Sequence, residues 1–109
     1  MGQVDHLLLN GEIVEREVKR VNAHLPAAKG RVSGALYLTD RRIIFRQKML
    51  LKETVYDVPY GKVADVSYSA NGMTAAHLTV ITTGGATARF SIGHNMGPVL
   101  VSAIREHTA

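Results

Sequence analysis

The stretch Gly34-Ala-Leu-Tyr-Leu-Thr-Asp-Arg-Arg-Ile-Ile-Phe-Arg46 reads as two strands joined by a tight polar turn, Thr39 to Arg42. Three arginines, Arg41, Arg42 and Arg46, crowd the turn and its exit. Residues 35–38 and 43–47 form the hairpin, and residues 48–52 connect it to the next strand, 53–58. The stretch speaks to architecture more than to chemistry.

Outward from it, the chain reads as strands followed by one helix. On the N-terminal side, residues 5–9 suit a short helical turn ended by Asn10-Gly11. Residues 12–21 alternate loosely through Ile13, Val14, Arg16, Val18 and Arg20, as a strand with one irregularity does. Residues 22–33 hold Pro26, Gly30 and small side chains and read as a loop. On the C-terminal side, Pro59-Tyr60-Gly61 ends the fourth strand. Residues 62–70 then alternate, with Ala64, Val66 and Tyr68 on one face and Asp65, Ser67 and Ser69 on the other. Asn71-Gly72 signals a turn, and Gly84-Gly85 suits the positive φ angles of a two-residue hairpin loop between strands 76–83 and 86–92. Phe90 is expected to face the core.

After Gly93 the period changes. Asn95 suits an N-cap, and Pro98 falls in the first turn, where a missing N–H costs little. Met96, Val99, Leu100, Ala103 and Ile104 recur at helical spacing, and Arg105 and His107 complement the helix dipole. Seven strands with open edges must close or pack face to face, and such a helix can plug the open end.

Composition bounds the rest. At 109 residues and 46% hydrophobic, the chain is one ordered domain, 1–109, with residues 1–10 as an N-terminal extension and 95–107 as the capping helix. The absence of cysteine excludes disulfides, zinc–thiolate sites and a thiol nucleophile. The opening Met-Gly-Gln-Val-Asp-His lacks the pattern of a secretory signal, and no apolar run approaches the roughly 20 residues of a membrane span. Any membrane contact is therefore expected to be peripheral. Net charge is +4, and it is regional: residues 29–52 carry seven bases and one acid. That pattern suits an anion-facing surface. It equally suits a solvated rim whose charges pair with Glu15, Glu17 or Asp57 across strands.

The chain resembles a bacterial pleckstrin-homology-like domain of the kind related to GRAM domains. Leu38-Thr39-Asp40-Arg41-Arg42-Ile43-Ile44-Phe45 is similar to the family's strand–turn–strand signature, and Gly11-Glu12 to its usual opening. The segment from Tyr56 to Val66 resembles the proline-led passage into the fifth strand, and Leu78 to Gly85 the sixth strand and its turn. The resemblance runs from about Asn10 to the end. It implies a mainly β fold: a seven-stranded, strongly bent antiparallel sheet or barrel capped by a C-terminal α-helix. The chain has no tryptophan, whereas eukaryotic relatives carry one in the capping helix. This points to the bacterial branch and away from eukaryotic phosphoinositide binding.

Candidate binding residues follow. In lipid-binding relatives, bases at the end of the first strand and on the second hold phosphates, and Lys19, Lys29 and Arg31 resemble that arrangement. Arg41, Arg42, Arg46, Lys48 and Lys52 are further anion, lipid or partner candidates. Lys48-Met49-Leu50-Leu51-Lys52 reads as a hydrophobic tip flanked by lysines. Its apolar side chains Met49, Leu50 and Leu51 can fold back onto the barrel, meet another subunit or enter a bilayer. The resemblance and the open strand edges imply self-association as a homo-oligomer. Nucleic acid is disfavoured, because basic and aromatic residues are not interleaved. Catalysis has no constellation: His6, His24, His77, His94 and His107 are scattered, with no phosphate loop and no Gly-x-Ser-x-Gly. The sequence therefore leads to a non-enzymatic interaction module without cofactor or metal. It would bind a protein partner or itself, in the cytoplasm, with contact to anionic lipid at the inner membrane face as an option. A phospholipid head-group binder is the alternative, and a small enzyme the remote one.

Overall fold

A computed structural model describes residues 4–26, 29–71 and 75–108, with the side chains of Asn71 and Ala75 excepted. Strands β1 (Val14–His24), β2 (Val32–Thr39), β3 (Arg42–Lys48), β4 (Glu53–Pro59), β5 (Val63–Asn71), β6 (Ala75–Thr82) and β7 (Thr87–Ser91) precede one helix, α1 (Met96–Thr108). They form a seven-stranded sheet in the order β4-β3-β2-β1-β7-β6-β5, antiparallel throughout. The bend lies in β1, which pairs with β2 along most of its length and with β7 only through Asn22, Ala23 and His24. Strand β1 thus runs on into what reads in sequence as a loop. It carries two irregularities, between Val14 and Arg16 and between Val18 and Val21, and in the second Arg20 takes a left-handed φ of 59°.

The inner face is the core expected from alternation. Leu36, Leu38, Ile43, Phe45, Val66, Leu78, Val80, Ala88 and Phe90 are all buried there. The Phe45 and Phe90 rings meet at 5.7 Å between centroids. The outer face of β2–β3 is covered as well. Val4, in the lead-in to a 3-10 turn at Asp5–Leu7, is fully buried against Tyr37 and Ile44, with Leu7 and Leu8 beside it. Two buried faces explain the unbroken run Ile43-Ile44-Phe45. Residues 4–8 of the N-terminal extension are therefore part of the domain's packing.

Two local readings are corrected. The β6–β7 connection is longer than two residues: Thr82 N donates to Ala86 O and Gly85 N to Thr82 O, closing the loop around Thr83, Gly84 and Gly85. Only Gly85, at φ +89°, uses the left-handed region. The expected stripe on α1 holds except at one position: Leu100 and Ile104 are buried and Met96 and Ala103 pack against the core, but Val99 is exposed, and Gly97 and Val101 are buried instead. Gly97 decides this. A Cβ there would lie 1.9 Å from Tyr68 Cε1, so only glycine lets the helix seat on β5. At its other end α1 is fixed by His107, whose ring stacks on Tyr60 at 4.4 Å and whose Nε2 lies 2.8 Å from Glu15 Oε1. The Asn71-Gly72 turn lies partly outside the described residues.

The β2–β3 turn is locked from below. The Glu12 side chain is fully buried and accepts a fork from Arg42, Nε to Oε2 at 2.9 Å and Nη2 to Oε1 at 3.0 Å. Thr39 Oγ1 donates to Glu12 Oε2 at 2.7 Å and accepts from the Arg41 and Arg42 amides. Leu9 N donates to Glu12 Oε1, and Arg42 also donates to Leu7 O and to Asp57 Oδ2. Tyr60 closes the set, its hydroxyl donating to Thr39 O at 2.7 Å. Burial pushes the Tyr60 phenol up, with help from the carboxylates Glu15, Asp40 and Glu12, so it serves as a donor.

Burial alone would raise the Glu12 carboxyl, but the Arg42 fork and the Leu9 and Thr39 bonds outweigh it and hold it at about 2 against an ordinary 4.5. A depressed carboxyl stabilises the fold above its unfolded value, and that contribution drains as pH falls toward about 2. The amount is roughly 3 kcal/mol, lost between about pH 4.5 and pH 2. Glu12→Gln is expected to cost roughly 3 kcal/mol at neutral pH, since it replaces the charged fork to Arg42 by an amide and leaves the guanidinium only Asp57 and Leu7 O as partners, and to flatten the acid limb. Urea titrations across pH check this, and parallel curves for the two proteins would contradict it. Gly97→Ala is expected to lose about 1–2 kcal/mol, the overpacking against Tyr68 outweighing the gain in helix propensity. Unchanged stability would mean that the helix seat is looser than described.

Candidate functional site

Antiparallel order decides where the basic residues go. It puts the β1–β2, β3–β4 and β6–β7 connections at one end of the sheet and the β2–β3 turn at the other. The basic segment 29–52 is therefore divided. Lys29, Arg31, Lys48 and Lys52 belong to the first end and Arg41 and Arg42 to the second, with Arg46 between them on β3.

At the second end Arg42 is held by Glu12 and Asp57, so its guanidinium is occupied inside the fold. Arg41 projects into solvent from the same turn. On β3, Arg46 pairs with Glu53, which also receives His6 at 2.9 Å. The Arg46 hydrogen bond, aided by His6, holds the Glu53 carboxyl below its ordinary value.

The first end carries the tip. Met49 N donates to Lys52 O at 2.7 Å and Lys52 N to Met49 O at 3.4 Å, closing a compact turn on the β3–β4 hairpin. Its apolar side chains do not fold back: Met49 is 56% exposed, Leu50 92% and Leu51 94%. Lys48 and Lys52 flank them, both exposed and neither in an ion pair among the described residues. A short turn whose backbone is closed on itself can reach the inward-pointing side of the sheet only through its flanking strands. Here those strands end in the Lys48–Glu53 pair, leaving the tip proud of the sheet.

Lys19 and Arg31 line one cleft, together with Arg20, Asn22, His77 and Ser91. Lys29 is exposed on the connection and does not line it. Sequence reading missed Arg20, His77 and Ser91, because alternation gives no sign that a strand irregularity and two outward-facing positions of β6 and β7 converge there. Of the histidines, His24 is exposed and His94 has a buried Nε2 with no hydrogen-bond partner. No group of three metal-ligating side chains occurs among the described residues, and no described helix is long and apolar enough to cross a membrane.

Several solved structures share this fold. The Vps36 N-terminal PH domain is 18% identical, with 93% of this chain and 82% of that chain covered at a TM-score of 0.73. The C-terminal domain of an unknown protein from Leishmania infantum is 18% identical, with coverage of 96% and 90% and a TM-score of 0.65. The linker-DH/PH domains of p115-RhoGEF are 10% identical, with 94% of this chain and 31% of that chain covered at a TM-score of 0.64. At such identities these likenesses speak for the fold alone. No curated protein matches the sequence. The family model described as a bacterial PH domain matches residues 13–106, from just before β1 into the last turn of α1. The chain therefore belongs to the bacterial PH domain family, and its seven-stranded, helix-capped sheet is an interaction module for proteins or lipids.

Proposed function

We propose that this domain is a non-enzymatic module that docks end-on at an anionic membrane surface, with the β3–β4 tip leading. The observation that carries the reading is the near-complete exposure of Leu50 and Leu51 between Lys48 and Lys52. Full burial of a leucine side chain is worth about 1.5–3 kcal/mol, and each base near an anionic leaflet about 1 kcal/mol. Lys29 and Arg31 belong to the same end of the sheet and add to its positive field. Immobilising the protein offsets part of this gain, so the association is peripheral and reversible. A location on the cytoplasmic side of the membrane goes with the reading. The non-enzymatic part rests on the sequence, whose five histidines are scattered and which carries no cysteine, no phosphate loop and no Gly-x-Ser-x-Gly.

Self-association is the second reading. Strand β4 ends the sheet order, so its outer edge is open, and Val55 on it is 39% exposed. An open edge of this kind favours pairing with a second copy. At the other end of the sheet, Arg105 Nη2 donates to Val66 O of β5, so that edge is partly covered.

Sedimentation with vesicles tests the main reading. Binding to phosphatidylglycerol vesicles at low salt is expected, with little binding to phosphatidylcholine and a decline as salt rises. Leu50→Asp with Leu51→Asp, and separately Lys48→Glu with Lys52→Glu, should each weaken it by at least about tenfold. Equal affinity for both lipids, or wild-type binding by the Asp variant, would sink the tip-first orientation. Light scattering tests the second reading: a mass that stays at the 11.8 kDa monomer at high concentration contradicts it.

A further inference from the structure

The β3–β4 tip carries a group whose chemistry differs from that of its two leucines. The chain has four methionines and no cysteine, so thioether sulfur is the only sulfur it contains. Two of the four, Met49 and Met96, fall among the described residues. Met96 opens α1 and packs against the core. Met49 is 56% exposed at the end of the β3–β4 hairpin. Oxidation of a thioether follows its exposure, and in the folded protein Met49 is the more open of the two.

That exposure is held in place by the backbone. Met49 N donates to Lys52 O and Lys52 N to Met49 O, which closes the turn with its side chains outward. The ladder of β3 and β4 ends directly behind it, at the Lys48–Glu53 pair. Leu50 and Leu51, themselves 92% and 94% exposed, offer Met49 no cover. A thioether here is apolar, flexible and suited to enter hydrocarbon beside the leucines. Its sulfoxide is not. Oxidation creates a strong dipole with a hydrogen-bond acceptor that a bilayer core cannot satisfy. Lys48 and Lys52 are untouched by the change, so the tip loses apolar contact and keeps its charge.

We propose that Met49 is a redox-sensitive modification site, at which reversible oxidation to the sulfoxide by a hydroperoxide releases the domain from the membrane. The proposal rests on the tip-first docking put forward above. In the forward step the sulfur lone pair attacks one peroxide oxygen. The S–O bond forms as the O–O bond breaks, and the departing oxygen leaves, protonated, as water or an alcohol. Sulfur gives up two electrons and the peroxide takes them. The return step draws two electrons from a pair of thiols, which leave as a disulfide together with one water. An exposed turn is open to the reductase that catalyses it.

Limiting hydrogen peroxide followed by peptide mapping tests the site. Sulfoxide is expected at Met49 ahead of Met96, with the thermal midpoint unchanged, because the Met49 side chain stands clear of the core. Sedimentation with phosphatidylglycerol vesicles tests the consequence. Conversion of Met49 should weaken binding by roughly tenfold, and methionine sulfoxide reductase with dithiothreitol should restore it. The proportional decline with salt should persist, since the lysines keep their charge. Met49→Leu retains the other methionines, and its binding should be the same before and after peroxide, whatever its starting value. Met49→Gln, polar from the outset, should bind as weakly as the oxidised protein with no peroxide added. Untreated wild-type protein judges the docking itself: if it fails to bind phosphatidylglycerol vesicles, tip-first docking falls and the release proposed here falls with it. Where untreated protein binds, any of three results overturns the redox site alone: oxidation of Met96 before or together with Met49, unchanged binding after full conversion of Met49, or an equal loss on peroxide treatment of Met49→Leu.

Discussion

The Glu12–Arg42 pair is the contact on which the rest of the architecture hangs. One carboxylate collects the guanidinium of β3, the Thr39 hydroxyl of the β2–β3 turn and the Leu9 amide of the lead-in. Through the same guanidinium, Leu7 O and Asp57 join N-terminal chain and β4. A buried ion pair is weak evidence for stability in itself, because desolvation offsets most of the attraction. Its value here is positional. It fixes the lead-in chain so that Val4, Leu7 and Leu8 cover the outer face of β2–β3, which would otherwise present Tyr37 and Ile44 to water. It also removes Arg42 from the surface, so the end of the sheet that looks most basic in sequence is partly neutralised from within.

The two ends of the sheet consequently differ in kind. At the β2–β3 end, charge is matched by charge and the turn is tied to three other segments. At the opposite end, Lys48 and Lys52 bracket an apolar tip that nothing among the described residues covers. The outer-face cleft is a third environment, in which bases gather without acids beside the irregularity of β1 where Arg20 takes a left-handed φ. An interaction module needs a rigid frame and an unsatisfied surface, and the domain keeps the two apart.

Much of the frame was legible in the chain. Alternation around Phe90, the turn between Thr39 and Arg42, and the change of period after Gly93 all correspond to elements of the fold, while along residues 62–70 alternation placed Val66 and Tyr68 but not Ala64, which is exposed because the irregularity between Val63 and Asp65 puts Val63 against the core instead. The run Ile43-Ile44-Phe45 carried a signal that alternation could not place: both faces are buried, but a continuous apolar run does not say what covers the second. The helix stripe missed at Val99, which is exposed, and at Gly97, which faces the core for its lack of a side chain, a reason invisible to hydrophobic spacing. The basic residues were the least legible. Adjacency along a hairpin is not adjacency in space, so Arg42 and Lys48 lie toward opposite ends of one strand, while Lys19 and Arg31, twelve positions apart, line one cleft. The irregularity at Arg20 leaves no mark in a sequence whose strand residues are already mixed.

The absence of cysteine gives a direct way to find which surface meets the bilayer. A single cysteine at position 50, labelled with an environment-sensitive fluorophore, reports on the tip; one at position 13, where Ile13 is 63% exposed beside Asp40, reports on the opposite end. With phosphatidylglycerol vesicles, tip-first docking predicts a blue shift and quenching by lipid-borne quenchers at position 50, and neither at position 13. A probe at position 50 that stays in water while the protein is vesicle-bound, or a probe at position 13 that is buried instead, would contradict the account.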